Sequence, residues 1–269
     1  MLTKHTVQGV RQNESPASKS LGLIMSATLA PPAAAVGRAD PVDRLRDYQD
    51  ALRFYLLLPG AVIDRILFVD NSNADLTPLV ELARQIPHGK TVEFISFAGN
   101  DHPYQLGKAY GEFKLMDFGL ANSTLFEPED IVWKTTGRLK FLNLEKMAQQ
   151  SRALSFDVLC DLHNVPWVGS GRWSSRRHMD LRVFAFRIKA YDAVFRGEWQ
   201  ANGSGFDAET LYLRVLQKRA SLRIVPRFPL QAELQGISGR HLRDYKSRSQ
   251  TAKDAVRSIV RRVMPWLWL

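Results

Sequence analysis

Thr135, Thr136, Gly137 and Arg138 make up a stretch whose residue types suit an anionic ligand. Glycine lets the backbone approach a ligand closely, and arginine offers a planar fork of donors that matches phosphate or carboxylate. Such a stretch at a strand end makes an oxyanion cradle, or else a turn with a solvated arginine. Gly107-Lys108-Ala-Tyr-Gly-Glu112 opens a helix, where free N–H groups and the positive dipole end attract phosphate. The plainer reading is a surface pair of Lys108 and Glu112 at i, i+4. Asp70 and Asn71 close a strand, either to accept hydrogen bonds from a ribose or base, or to form a turn. Asp161 and His163 alternate on another strand and share a face, as a weak metal pair or as structural residues. Asp180 and Arg182 repeat that spacing, as an ion pair lining a cleft or a half-exposed strand face. Glu209, in a first helical turn after the flexible run Asn202–Gly205, is a general base at a cleft edge or a favourable helix-end acid. Gly236-Ile-Ser-Gly-Arg240 closes over a diphosphate or is a linker.

The elements that carry these residues alternate along the chain. Helical spacing marks Pro41–Leu58, Leu76–Ile86, Gly107 to about Asn122 and about Asp207–Lys218; short apolar runs mark strands at Arg65–Asp70, Thr91–Phe97, Asp130–Lys134, Phe156–Leu162 and Asp180–Ile188. This alternation predicts an α/β domain with a mainly parallel central sheet and helices on both faces. In such sheets ligands bind beyond the carboxyl ends of the strands. Residues 166–178, rich in Gly, Ser, Arg and Trp, read as an excursion. No Walker motif, dinucleotide fingerprint or internal repeat occurs.

With 269 residues, 45% apolar and 24% charged, the chain has ordinary globular composition. A net charge of +10 favours anionic partners. Cys160 is the only cysteine, so neither an internal disulfide nor a cysteine zinc site can form, and a reducing cytoplasm fits. No run of apolar residues is long enough to span a bilayer. Leu21–Val36 imitates a signal peptide, but the charged region before it is long and contains Glu14, and Pro31 and Pro32 interrupt the run. Residues 1–40 are expected to be a structureless leader, or in part the product of a start assigned at Met1 rather than Met25. Residues 41–238 are expected to form the α/β domain that carries these candidate residues, and 239–269 a basic tail.

In that tail Ala252, Val256, Ile259, Val260 and Val263 fall at helical spacing among Lys and Arg, and Trp266 and Trp268 follow Pro265. Basic amphipathic helices with interfacial tryptophans bind anionic lipid. The stripe otherwise packs on the protein's own core.

Phe68-Val-Asp70-Asn-Ser-Asn-Ala-Asp75, Gly107-Lys-Ala-Tyr-Gly-Glu112 and Trp133-Lys-Thr-Thr-Gly-Arg138, in this order and followed by Asp180-x-Arg182, Glu209 and the late Gly-x-Ser-Gly loop, resemble bacterial polysaccharide and lipopolysaccharide glycosyltransferases of GT-A fold over about residues 40–250. The resemblance implies a nucleotide-diphospho-sugar transferase fold and transfer of a sugar, most readily a hexose, to a cell-surface glycan or lipid-linked acceptor. It places Asp70 and Asn71 at the nucleoside, and Gly107, Lys108 and Glu112 beside the donor. Thr136, Gly137 and Arg138 stand where many GT-A enzymes carry an Asp-x-Asp that holds Mg²⁺ or Mn²⁺. No Asp-x-Asp exists here, so no cofactor is assigned and a divalent metal stays open. Arg138, with Lys108 or Arg240, would balance the leaving nucleotide, Arg182 would lie near it, and Glu209, with Asp161 and Asp180 as rivals, would activate the acceptor. The expected location is cytoplasmic, peripheral on the inner face of the plasma membrane. A non-catalytic nucleotide-binding or membrane scaffold on the same fold is the alternative. Nucleic-acid binding is a further one, although no recognition motif for it occurs.

Overall fold

The computed structural model describes residues 2–9, 21–32, 37–101, 106–163, 178–202, 208–218, 221–238, 244–245 and 247–264, with the backbone alone at 107–109, 201, 202, 209, 248 and 249. In chain order the elements are β1 (Thr3–Gln8), β2 (Leu21–Ala27), α1 (Pro41–Leu56), β3 (Ile63–Asp70), α2 (Thr77–Gln85), β4 (Thr91–Ser96), α3 (Gly107–Asn122), β5 (Ile131–Thr136), β6 (Lys140–Phe141) and α4 (Leu144–Ser151). They continue as β7 (Val158–Leu159), β8 (Leu162–His163), β9 (His178–Met179), β10 (Val183–Arg187), α5 (Ile188–Val194), α6 (Glu198–Asn202), α7 (Ala208–Gln217), β11 (Ile224–Val225), β12 (Leu234–Gln235) and α8 (Arg248–Val263).

Eight strands form one sheet in the order β1-β4-β3-β2-β5-β10-β7-β11. Strands β4, β3, β2 and β5 run parallel; β1 is antiparallel to β4 at one edge, and β10 is antiparallel to both β5 and β7. Side chains alternate between two cores, as a sheet covered on both faces requires. Leu23, Met25, Ile66, Phe68, Phe94 and Trp133 face α1 and α2. Ile24, Leu67, Val69, Ile95 and Val132 face α3 and α7. The α/β class with helices on both faces is therefore observed.

The expectation of a structureless stretch up to residue 40 is corrected for Thr3–Gln8 and for Leu21–Ala27. The latter is not a leader but β2, at the centre of the sheet between β3 and β5. All seven of its residues are buried. A strand buried on both faces loses its alternation and becomes a continuous apolar run, the same pattern a signal peptide shows. Elsewhere the elements lie within a few residues of expectation, except that Phe156–Leu162 divides into β7 and the start of β8.

Candidate functional site

The chain leaves β2 through α1 on one face of the sheet toward β3, and leaves β4 through α3 on the other face toward β5. The order thus reverses between β2 and β5, and the crevice beyond their carboxyl ends is where an open α/β sheet binds its ligand. Thr136, Gly137 and Arg138 stand at that point. Gly137 N–H donates to Ser26 O of β2 (2.8 Å), and Leu139 N–H closes a turn on Thr136 O (2.9 Å). A Cβ on Gly137 would lie 2.8 Å from the Ser26 carbonyl oxygen, so only glycine allows this approach.

Arg138 is half-buried, and its guanidinium donates to the Ile237 carbonyl. The late glycine loop therefore does meet the end of β5. It is held by the pairing of β12 with β6, and Gly236, at φ +135°, makes the turn that brings Ile237 over Arg138. Gly239 and Arg240 of that loop lie outside the described residues. A second guanidinium, that of Arg44 on α1, lies close by and is 4% exposed. It donates to Thr28 O (2.7 Å), Arg38 O (3.1 Å) and the Tyr48 hydroxyl (3.1 Å). Tyr48 also accepts from Thr28 N–H (2.9 Å), so Arg44 and Tyr48 together shape the loop after β2. Among the described residues neither guanidinium has a carboxylate partner. The carboxylate that Arg138 senses through space, Asp47, is already taken by Arg38 at 2.5 and 3.0 Å. Burial, with the like charge of Arg44, holds the Arg138 guanidinium below its usual range. Cations taken from water without a counter-charge are costly. The pair therefore concentrates positive charge beyond the ends of β2 and β5.

Asp70 and Asn71, at the carboxyl end of β3, are buried and engaged by internal donors. Asp70 is fully buried and accepts from Leu29 N (2.7 Å), Ser72 N (2.9 Å), Ser72 Oγ (2.8 Å), Ala74 N (3.2 Å) and Ser96 Oγ (3.2 Å). Asn71 is 5% exposed and accepts from Thr28 Oγ1 (2.7 Å). Both pin the loops that follow β2 and β3. Glu112 meets Lys134 of β5, a cation 1% exposed that also donates to Leu181 O (2.7 Å). The two motifs Gly107–Glu112 and Trp133–Arg138 are thus joined by an ion pair between a buried lysine and a half-buried glutamate. The backbone of Gly107 and Lys108 begins α3, as expected, and their side chains lie outside the described residues, as does that of Glu209.

The start of β10 reaches the same edge: Thr136 N–H donates to Arg182 O (2.9 Å). Arg182 binds Asp180 through Nε (2.9 and 3.1 Å) and Nη2 (2.6 Å), and its guanidinium lies 5.4 Å from the centre of the Tyr245 ring. Burial alone would raise the Asp180 carboxyl, but the charge and hydrogen bonds of Arg182, with His163 behind them, hold it well below the usual carboxylate range. A carboxylate so stabilised is a poor proton acceptor at neutral pH. Asp161 is bound by Arg261 of α8 at 2.7 and 3.0 Å. Its neighbour His163 stands 3.8 Å from Asp161 and 4.0 Å from Asp180, stacked on His178. Both rival bases are therefore engaged as ion pairs.

The same arrangement tests a divalent metal. Asp70 is saturated by hydrogen-bond donors, and Asp180 and Asp161 are each held by an arginine fork. Among the described residues no group of three His, Cys, Asp or Glu can hold a metal ion. These described carboxylates, each already engaged, do not fit Mg²⁺ or Mn²⁺.

The depressed Asp180 has a pH signature. A carboxyl with a folded pKa below its unfolded value stabilises the fold above about pH 4, and that contribution is lost as pH falls toward the folded value. Asp180→Asn is expected to cost on the order of 3 kcal/mol at neutral pH, because it leaves Arg182 without its charge partner. The gap in melting temperature between variant and wild type should narrow below about pH 4. A gap that stays constant down to acid pH would contradict this role.

No family model matches the chain, and no curated protein does. Solved structures with a similar course of chain include 4-diphosphocytidyl-2C-methyl-D-erythritol synthase from Anaerococcus prevotii DSM 20548, with a TM-score of 0.48 and 12% identity over 88% of this chain and 95% of that one. A protein from Desulfovibrio desulfuricans G20 described as a nucleotide-diphospho-sugar transferase gives a TM-score of 0.41 and 12% identity over 77% and 80% of the two chains. A further 4-diphosphocytidyl-2C-methyl-D-erythritol synthase gives 0.42 and 11% over 89% and 99%. At these scores the chemistry of this chain rests on its own residues.

Proposed function

We propose that this chain is a glycosyltransferase that moves a sugar, most readily a hexose, from a nucleotide-sugar donor to a cell-surface glycan or lipid-linked acceptor. The observation that carries the reading is the pair Arg44 and Arg138 beyond the ends of β2 and β5, buried or half-buried and without a carboxylate among the described residues. A nucleoside diphosphate is an anion whose charge grows as it leaves. Preorganised cations aimed at that developing charge lower the barrier. Arg138 contacts the diphosphate, and Arg44 adds its field while fixing the loop after β2. Lys108, at the start of α3, supplies a further charge. Glu209, at the start of α7, is the base that takes the proton of the acceptor hydroxyl, since Asp161 and Asp180 are held by arginines.

The test is a thermal-shift panel of UDP-, GDP-, CMP- and dTDP-sugars, with and without Mn²⁺, followed by turnover assays on the donor that shifts. A ligand that binds only the folded state raises stability by mass action. The expected result is a shift with one nucleotide class that persists without Mn²⁺, and turnover that Glu209→Gln lowers by about 10²–10⁴-fold. A shift that requires Mn²⁺ would overturn the arginine cradle. A shift without turnover across many acceptors would favour the non-catalytic nucleotide-binding protein.

A further inference from the structure

Helix α8 has two unlike faces: the one on the body of the protein carries Asp254, Arg257, Arg261 and the buried Val260 of the apolar stripe, which is 9% exposed. Arg261 is half-buried and binds Asp161, Phe228 O (2.9 Å) and Gln231 Oε1 (3.0 Å). Asp254, the acid of the helix, is half-buried and accepts from Gln250 (3.1 Å) and Arg257 (3.3 Å). At 3.6 residues per turn the opposite face carries Ala252, Val256, Ile259 and Val263 in one stripe. Val256, Ile259 and Val263 are 55%, 64% and 65% exposed, and they are half of the six exposed large apolar side chains among the described residues. The other three, Leu2, Val42 and Leu57, belong to separate segments.

Apolar stripes normally turn inward, so a stripe turned outward marks an interaction surface. Its flanks select the partner. Lys253 falls on one side of the stripe and Arg262 on the other, and both are exposed, while Asp254 lies on the body side. Cationic side chains that border aliphatic ones on a single helix match an anionic lipid surface. The aliphatics enter the headgroup boundary, while the long cationic chains extend to the phosphates. We infer that α8 lies flat on an anionic membrane through Val256, Ile259 and Val263, with Lys253 and Arg262 on headgroup phosphates. Arg261 then couples this lipid-facing helix to Asp161, and Asp180 N–H donates to Asp161 O (2.9 Å). The membrane is thereby placed beside the edge of the sheet where the cradle opens. The inference stands independently of sugar transfer, because it concerns binding alone.

The full chain is spun with vesicles of phosphatidylcholine alone and of an equal mixture of phosphatidylcholine and phosphatidylglycerol. Binding is expected to the mixed vesicles only and to weaken with salt. Ile259→Asp should lower vesicle affinity by about tenfold or more while the melting temperature stays nearly unchanged, since this side chain is 64% exposed. Val256→Asp serves as a second variant with the same expectation. Lack of binding to anionic vesicles, or full binding by both variants, would overturn the inference. A dimer in lipid-free solution that either variant dissociates would also overturn it, by assigning the stripe to a second copy of the chain.

Discussion

Arg138→Ala is expected to remove turnover and the donor-induced thermal shift while the protein stays folded. Among the described residues its guanidinium makes one hydrogen bond, to the Ile237 carbonyl, and no ion pair. Losing that bond costs the fold about 1 kcal/mol. Losing a preorganised cation at the leaving diphosphate costs about 10²–10³-fold in rate. The change also relieves Arg44 of a like charge, which offsets part of the structural cost. Arg138→Lys keeps the charge and loses the planar fork, so it should recover part of the activity. Kinetics on the purified variants, with circular dichroism as the control for folding, separate the outcomes. Full activity in Arg138→Ala would remove the cradle from the mechanism.

Deletion of residues 1–24 is expected to abolish folding altogether. It removes all of β1 and the first four residues of β2. Strand β2 pairs with β3 on one side and with β5 on the other, so its loss opens the middle of the sheet and not an edge. Leu23 and Ile24 are at most 1% exposed and point into opposite cores. Emptying one such position in a core costs about 2–5 kcal/mol, against a total stability of about 5–15 kcal/mol. Removing both together with the pairing exceeds that margin. Expression of the two forms side by side, with solubility and heat capacity of unfolding as readouts, checks this. A soluble, cooperatively melting chain that starts at Met25 would show that β2 is dispensable.

The sequence by itself determined the local elements and the strand ends. Helix α3 falls on its expected bounds, and β3, β4, β5 and β10 lie within a few residues of theirs, because periodicity and apolar runs are local signals. It also placed Thr136, Gly137 and Arg138 at the end of a strand and Asp180 beside Arg182, since each follows from neighbours along the chain. The ion pair of Glu112 with Lys134 and the use of Asp70 as an internal acceptor depend on which strands become neighbours, which no local pattern encodes. Arg44 was missed although one signal pointed to it: it precedes Tyr48 by four residues on the buried stripe of α1, where an apolar residue belongs. Residues 21–27 fall in the stretch expected to be structureless, because an apolar run without alternation, set apart from the periodic elements, carries no local sign that it is the centre of a sheet. Only the tertiary structure, by setting β3 and β5 on either side of it, decided its place.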